Sequence, residues 1–401
     1  MNVIIACGGT GGHLLPGLAV AEKLLSRGHR VRLLVSEKTV DQVALGALTS
    51  AYSRSSGALT VTPISAIGYT GLRHSMTFCY RLAQATNTCA AEYAAFQPDV
   101  VLGMGGFTSA PAVLAARWRG VPSLIHESNA VPGKANAWVG RFANRVALGL
   151  GECATHFGKC PATVTGTPIR ANLRGGRVAG AAAQLGLVPG KLTVLVAGGS
   201  QGAHAVNEAV ACALPWLDEW RARVQFVHLT GKSDEDFVRD SYTVNRFDAK
   251  VMNFCSQMEL AYSAADLVVS RAGAATLTEL AAFGLPALLI PYPHATGNHQ
   301  FHNAQVFVKG GAAKLIEQHQ LAGHHAATGE RLSEALAKLL GDEEGRRRMG
   351  RAARSLAVLD AEEQIADLLE SFGVRRLVGA LPLTPRTGTA KRQQAGALQI
   401  T

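Results

Sequence analysis

The sequence predicts an α/β protein made of two doubly wound parallel-sheet domains facing a cleft, and three observations predict it. Short β-branched runs alternate with helix-length amphipathic stretches, which implies βαβ units. That alternation restarts near Lys191. Each half opens on the same device, an apolar strand running into a glycine turn. Val3–Cys7 feeds Gly8-Gly9-Thr10-Gly11-Gly12, and Leu192–Val196 feeds Gly198-Gly199-Ser200-Gln201-Gly202, 190 positions later (198 − 8).

In the first half, Val3–Cys7 reads as a buried strand, Leu15–Ser26 as a helix closed by Gly28, and Val31–Val35 as the next strand. Val100–Leu102, Ser123–Ile125 and Arg145–Leu148 continue the pattern. Pro and Gly punctuate the chain at Gly166-Thr167-Pro168-Ile169-Arg170, and the Gly- and Arg-rich Arg174–Gly180 reads as a linker. Beyond it, Leu192–Val196, Val224–Leu229, Leu267–Ser270 and Ala287–Ile290 read as strands, with a helix from about Ala205 and helical periodicity over 331–372. The tail 378–401 carries Pro, Thr, Gly and Gln with little periodicity and reads as disordered. The expected division is therefore an N-terminal domain at 1–165, a linker at 166–190, a C-terminal domain at 191–345, terminal helices at 346–372 and a basic tail at 378–401.

With 401 residues, 48% hydrophobic and 17% charged, the chain can fill large cores, which excludes a mainly disordered or coiled-coil protein. The best candidate span, Leu277–Pro293, is broken by Glu279, Pro286 and Pro291 and falls short of a membrane helix. The N-terminus lacks the basic region of a signal peptide. The seven cysteines, at 7, 79, 89, 153, 160, 212 and 255, form no CxxC, so neither a disulfide framework nor a zinc site is expected. A reducing compartment fits that usage.

Charge is distributed unevenly. Residues 1–165 hold 14 Lys/Arg against 7 Asp/Glu, residues 166–370 hold 20 against 22, and residues 371–401 hold 5 against none. A basic half on a neutral half points to an anionic partner: a membrane surface, a phosphorylated substrate or nucleic acid. A nucleic-acid binder accounts for the net +10 but leaves the glycine turns without a purpose.

A third glycine turn, Gly103-Met104-Gly105-Gly106, follows the strand at Val100. Glycines let backbone N–H groups approach an anion, and the following helix start carries partial positive charge, so such turns bind phosphates. A diphosphate ligand follows from three of them. Two nucleotide motifs fail: Phe226 stands where a Walker A loop before Gly231-Lys232-Ser233 needs its first Gly, and Leu14 where a GxGxxG needs its third. Glu37 still stands where an acid would meet an NAD ribose.

His13 directly follows the first turn, at a helix start whose field favours the neutral, base-competent ring. In the second half, Ser270–Glu279 again gives close backbone approach at a helix start, with Glu279 able to accept two hydrogen bonds from a cis-diol. The amides of Asn298–Asn303 suit sugar hydroxyls. His294, His299 and His302 lack an acid or Cys to complete a metal site. Asp234-Glu235-Asp236 reads as an acidic first helical turn capped by Ser233 rather than a metal-holding pair.

Six ordered segments together resemble one family: Gly8–His13 with Pro16-Gly17; Gly103–Phe107; His126-Glu127-Ser128-Asn129; Gly166–Arg170; Gly198–Ala203; and Arg271–Glu279. The chain resembles, over roughly 1–370, the MurG family, the UDP-GlcNAc:lipid I N-acetylglucosaminyltransferases of peptidoglycan synthesis. The resemblance implies a GT-B fold of two Rossmann-like domains and an inverting GlcNAc transfer to the MurNAc C4 hydroxyl of lipid I. The rival readings are another GT-B enzyme, a glycolipid synthase or a UDP-GlcNAc epimerase.

The resemblance further implies that the C-terminal domain binds UDP-GlcNAc and the N-terminal domain the undecaprenyl-diphosphate-MurNAc-pentapeptide acceptor, with the terminal helices packing back on the latter. Ser200 and the Gly199–Ala203 amides then hold the donor diphosphate, Glu279 the ribose with Ala274 and Ala275 beside it, Cys255 the uracil through its backbone, and Gln300 the sugar. Thr10, Gly11, Gly12, Asn129 and Arg170 complete the donor pocket. Gly12, His13, Gly105 and Gly106 face the acceptor diphosphate, with His13 as catalytic base. No cofactor, metal or nucleic acid is implied. The family often has two glutamines where this chain has His299-Gln300, and many members have Asn at Thr167. The implied location is the cytoplasmic face of the inner membrane, met as an anionic surface by Leu72, Arg73, Met76, Phe78, Tyr80, Arg81 and Leu82 with Arg117-Trp118-Arg119.

Overall fold

The computed structural model describes the chain except residues 9–10, 37–57, 66–74, 200–201, 322–324 and 381–401. Glu37, Leu72, Arg73 and almost all of the tail thus lie outside the described residues.

The first sheet is built from β1 (Asn2–Ala6), β2 (Arg30–Val35), β3 (Leu59–Pro63), β4 (Val100–Gly103), β5 (Ser123–Glu127), β6 (Arg145–Leu148) and β7 (Ala162–Val164). Its strands are all parallel in the order β3-β2-β1-β4-β5-β6-β7. Helices α1 (Gly11–Ser26), α2 (Ser75–Phe96), α3 (Ser109–Arg119) and α4 (Lys134–Val139) connect them. The inner strands are buried on both faces, which is why they read as continuous apolar runs rather than alternating ones.

The second sheet comprises β8 (Leu192–Ala197), β9 (Val224–Leu229), β10 (Asp248–Met252), β11 (Leu267–Ser270), β12 (Ala287–Leu289) and β13 (Ala313–Leu315), parallel in the order β10-β9-β8-β11-β12-β13. Around it lie α5 (Ala181–Gln184), α6 (His204–Ala213), α7 (Glu235–Val244), α8 (Met258–Ala264), α9 (Ala274–Phe283), α10 (His299–Lys309) and α11 (His325–Gly341), followed by α12 (Glu343–Ser355) and α13 (Ala361–Ala380). The two-domain α/β architecture is the one the repeated strand–turn–helix device predicts.

Two boundaries differ from expectation. The stretch taken as a linker is largely structural: Ile169, Leu173, Ala181, Leu185 and Leu187 are buried in the core of the second domain. Its glycines and arginines hid an apolar residue every few positions. The terminal helices also part company. α12 stays on the second domain, where the Arg346 guanidinium donates to the Leu339 and Leu340 carbonyls and Gly350 lies against Gly284. Only α13 returns to the first sheet, burying Ile365, Ala366, Leu369 and Phe372 in the core under β1 and β4. Its three large side chains stabilise that contact by about 1.5–3 kcal/mol each. Lys23 and Arg27 of α1 pair with Glu363, and Arg27 also with Asp367 at 2.7 Å.

In each sheet the strand order reverses direction once, between β1 and β4 and between β8 and β11. Loops leaving the carboxyl ends of strands at such a point diverge and leave a crevice, the usual ligand position in open α/β sheets. The turns leaving these four strands are the glycine turns and the Arg271–Gly273 segment.

Candidate functional site

The turns after β1 and β4 are tied to each other. The Gly8 N–H donates to Thr108 Oγ1 at 2.9 Å, and the Gly105 N–H to Ser109 Oγ at 2.8 Å. Gly105 has φ +103° and Gly106 φ +73°, backbone that favours glycine. Space demands glycine there too: a Cβ on Gly105 would come within 2.8 Å of the His13 ring, and one on Gly106 within 3.2 Å. The turns therefore converge on His13, the third residue of α1. Gly11 begins that helix and Gly12 is exposed beside it. Thr10 lies outside the described residues.

Behind His13 is a buried polar cluster centred on Glu127, at the end of β5. Glu127 Oε1 accepts from the Asn129 backbone N–H at 3.0 Å and from Asn129 Nδ2 at 2.8 Å. Its Oε2 accepts from the Gly133 N–H at 3.0 Å and from Asn136 Nδ2 at 2.9 Å. His126 is fully buried, and burial lowers its pKa, so the ring is neutral. Its Nε2 donates to the Gly166 carbonyl at 3.0 Å. The motif His126–Asn129 was legible in the sequence, but the role of Glu127 as its hub was not.

In the second domain, Gly199 and Gly202 have φ +101° and +77°, and the Gly202 N–H closes the turn on the Gly199 carbonyl at 2.9 Å. Ser200 lies outside the described residues. The neighbouring turn leads into α9, whose first two residues are Ala274 and Ala275, so their backbone N–H groups lack helical acceptors. Glu279, on the next turn, accepts from Tyr262 Oη at 2.7 Å. Burial raises its pKa, while Tyr262 and the charge of Arg170 lower it. Arg170 likewise acts on the buried Cys255, which burial shifts upward. The four groups Arg170, Cys255, Tyr262 and Glu279 thus lie close to one another. The Arg170 Nε is buried with no hydrogen-bond partner.

Gln300 Oε1 accepts from the Ala272 N–H at 3.2 Å and the Tyr292 N–H at 3.0 Å, leaving only its Nε2 for a ligand. The Asn129 amide is committed at both ends, its Oδ1 accepting from Asn303 Nδ2 at 3.0 Å. Asn303, read from sequence as a sugar-binding amide, is instead fully buried. His299 Nδ1 donates to the Thr296 carbonyl at 2.6 Å.

Asp234 corrects the reading of the acidic turn. It, not Ser233, is the N-cap residue of α7, and its side chain does not cap. Instead Asp234 Oδ2 accepts from Asn207 Nδ2 at 2.7 Å and lies 3.1 Å from His204 Nδ1. The chain continues inward: His228 Nε2 donates to Asn207 Oδ1 at 3.0 Å, and Tyr242 Oη donates to His228 Nδ1 at 3.0 Å. Asn207 Nδ2 also donates to the Thr230 carbonyl at 2.9 Å, so this network braces the back of the Gly198–Gly202 turn. Among the described residues no group of three or more His, Cys, Asp or Glu is placed to hold a metal ion.

Burial lowers the His228 pKa from 6.5 to about 3. Between those values only the unfolded chain takes up this proton. The contribution of His228 is therefore intact above pH 6.5 and is lost as pH falls, by up to about 1.4 kcal/mol per pH unit. Denaturant titrations should give His228→Gln a flatter acid limb than wild type between about pH 6.5 and 4.5. Parallel limbs would contradict this.

Comparison with known proteins agrees with the two-domain fold. The glycosyltransferase family 28 N-terminal domain matches residues 3–148 and the family 28 C-terminal domain residues 193–365. A Pelobacter propionicus UDP-N-acetylglucosamine--N-acetylmuramyl-(pentapeptide) pyrophosphoryl-undecaprenol N-acetylglucosamine transferase is 37% identical over 392 residues, covering 92% of this chain and 98% of its own. The Syntrophus aciditrophicus protein of the same name is 38% identical, covering 82% and 88%. The crystal structure of Acinetobacter baumannii MurG superposes with TM-score 0.71 at 28% identity, over 92% of this chain and 99% of that one. A Neisseria meningitidis UDP-GlcNAc 2-epimerase shares the fold alone, with TM-score 0.67 at 14% identity, covering 92% of this chain and 100% of the epimerase. The chain belongs to the UDP-N-acetylglucosamine--N-acetylmuramyl-(pentapeptide) pyrophosphoryl-undecaprenol N-acetylglucosamine transferase family, a two-domain GT-B glycosyltransferase family.

Proposed function

We propose that this chain transfers GlcNAc from UDP-GlcNAc to the MurNAc C4 hydroxyl of lipid I, inverting the anomeric centre and forming lipid II. The observation that carries this beyond family membership is the pairing of the two sheet reversals. On one side glycine turns enclose a histidine, and on the other a glycine turn lies at the end of β8 while the start of α9, one turn before Glu279, offers the N–H groups of Ala274 and Ala275. His13 takes the proton from the C4 hydroxyl as that oxygen attacks the donor's C1. The bond from C1 to the diphosphate breaks, and its electron pair leaves with UDP. The Gly199–Ala203 segment, with Ser200, and the start of α9 stabilise the departing diphosphate, which is where preorganised donors contribute most. Glu279 binds the ribose beside Ala274 and Ala275, Cys255 meets the uracil through its backbone, and Gln300 Nε2 and Arg170 complete the donor pocket. The Gly105–Gly106 turn and Gly12 hold the acceptor diphosphate. The test is incubation with labelled UDP-GlcNAc and a lipid I analogue. Label in a GlcNAc-β1→4-MurNAc product is expected; label recovered only in free GlcNAc or an epimerised donor would overturn the proposal.

The glycine geometry makes a sharper prediction. A Cβ at Gly202 would run into the Thr230 carbonyl, whereas one at Gly190, which also has positive φ, meets open space. Gly202→Ala should weaken UDP binding by on the order of tenfold or more, and Gly190→Ala should leave it within about twofold. Calorimetry of both variants checks this, and equal affinities would rule it out.

Lipid I is membrane-bound, and among the described residues no helix is long and apolar enough to cross a membrane. We place the chain peripherally on the cytoplasmic face. The support is a surface on α2 and α3 where Met76, Tyr80 and Trp118 are 87%, 71% and 69% exposed. Cys79, Leu82, Ala83, Leu114 and Trp118 line a groove of about 340 Å³ there. Arg81, Arg117 and Arg119 are exposed on the same two helices, each contributing about 1 kcal/mol against an anionic surface. Vesicle sedimentation should show binding that rises with phosphatidylglycerol content and drops by on the order of tenfold in Trp118→Glu. Indifference to lipid charge would refute the docking surface.

A further inference from the structure

We infer that Asn303 is a positioning residue that couples donor binding in one domain to the acceptor side of the other. The inference rests on the proposed donor site and adds a device to it.

Asn303 belongs to α10, in the second domain, and is fully buried. Its Oδ1 accepts from the Ala130 N–H, in the loop after β5 of the first domain, at 2.8 Å. Its Nδ2 donates to Asn129 Oδ1 in that same loop at 3.0 Å and to the Ala272 carbonyl of its own domain at 3.2 Å. One side-chain amide therefore joins both domains. One helical turn earlier, Gln300 holds the Ala272 N–H. α10 thus grips both polar groups of Ala272, the residue two before the α9 start that meets the donor.

From Asn303 the bonded path runs on without a break into the acceptor domain. Asn129 Nδ2 donates to Glu127, and Glu127 accepts from Asn136 Nδ2. Asn136 lies against Gly105, the glycine that packs on the His13 ring. A ligand that shifts the Gly273–Ala275 backbone must act on the Ala272 peptide, and through Asn303 on the loop that holds this network.

Hydrophobic glue would not serve the same purpose. Amide bonds exchange for water bonds at small net cost, so such a joint opens and recloses. A buried apolar contact of equal size would resist opening far more. The choice of Asn fits a joint that must part to admit a membrane-bound acceptor and close for transfer.

The test uses the full chain. Asn303→Asp keeps the volume and the Ala130 bond but removes both donors; Asn303→Ala removes all three bonds. With the lipid I analogue, both variants should lose at least about tenfold in kcat, while their Kd for UDP by calorimetry stays within about threefold. Asn129→Ala combined with Asn303→Ala should be no worse than the more damaged single variant, because the two residues act as a unit. In wild type, hydrogen exchange at the Ala130 amide should slow when UDP binds. A folded Asn303→Asp variant with normal kcat would overturn the inference. So would a loss explained wholly by weaker UDP binding, or saturable UDP binding that leaves Ala130 exchange unchanged. The exchange measurement needs no variant, so it stands if both substitutions prevent folding. Absence of UDP binding in wild type would instead overturn the donor-site reading and this inference with it.

Discussion

His13→Ala should lower turnover on the order of 10²–10⁴-fold, the contribution of a positioned general base. The ring sits where Gly105 and Gly106 leave room for it and for little else, so it is held rather than merely present. The turns proposed to hold the donor diphosphate belong to the other sheet, so UDP affinity should stay within about twofold of wild type. His13→Gln separates the base from a hydrogen-bonding or packing role: glutamine fills much of the space but takes up no proton at neutral pH. Both variants should be impaired to a similar degree in single-turnover assays. Recovery in His13→Gln would make the ring a hydrogen-bond partner, and near-normal turnover in His13→Ala would remove it from the chemistry.

The second large effect is on stability. Glu127 is 3% exposed and accepts four hydrogen bonds, two at each oxygen. Glu127→Ala leaves those donors without an acceptor in a dry site, at a cost of about 3–5 kcal/mol. For a domain of this size that lowers the melting temperature by on the order of 10 °C. Glu127→Gln should be nearly as damaging. Whichever way the amide turns, its NH₂ faces two N–H donors, so the isosteric change replaces attraction by repulsion on one side. Thermal unfolding of both variants decides the matter. A glutamine variant as stable as wild type would show that the carboxylate charge is not what organises the loop.

The inner strands of both sheets were legible because they are buried on both faces and carry little but Val, Ile, Leu and Ala. The edge strands were not. β10 reads Asp-Ala-Lys-Val-Met with only Val251 buried, and all three residues of β7 are exposed, so neither carries an apolar run. β3 and β13 were missed for the same reason of short length and partial burial. The glycine turns were legible because glycine is demanded by positive φ and close contact, as at Gly105 and Gly202. What sequence could not convey was pairing between distant residues. Asn129 and Asn303 each look like a ligand-binding amide alone, and only the fold reveals that they are bonded to each other. Asp234 looked like part of a helical cap until its bond to Asn207 placed it in a buried network. Likewise Ile169 to Leu187 looked like a linker because its buried residues are widely spaced among glycine and arginine.

In the proposed reaction the turn after β8 and the start of α9 hold a nucleoside diphosphate by backbone amides. Titrating UDP into the isolated chain by calorimetry tests it directly. Saturable one-to-one binding, weakened in Gly202→Ala and retained in His13→Ala, is the predicted result. No heat of binding at any accessible UDP concentration, from a chain shown to be folded, would contradict it.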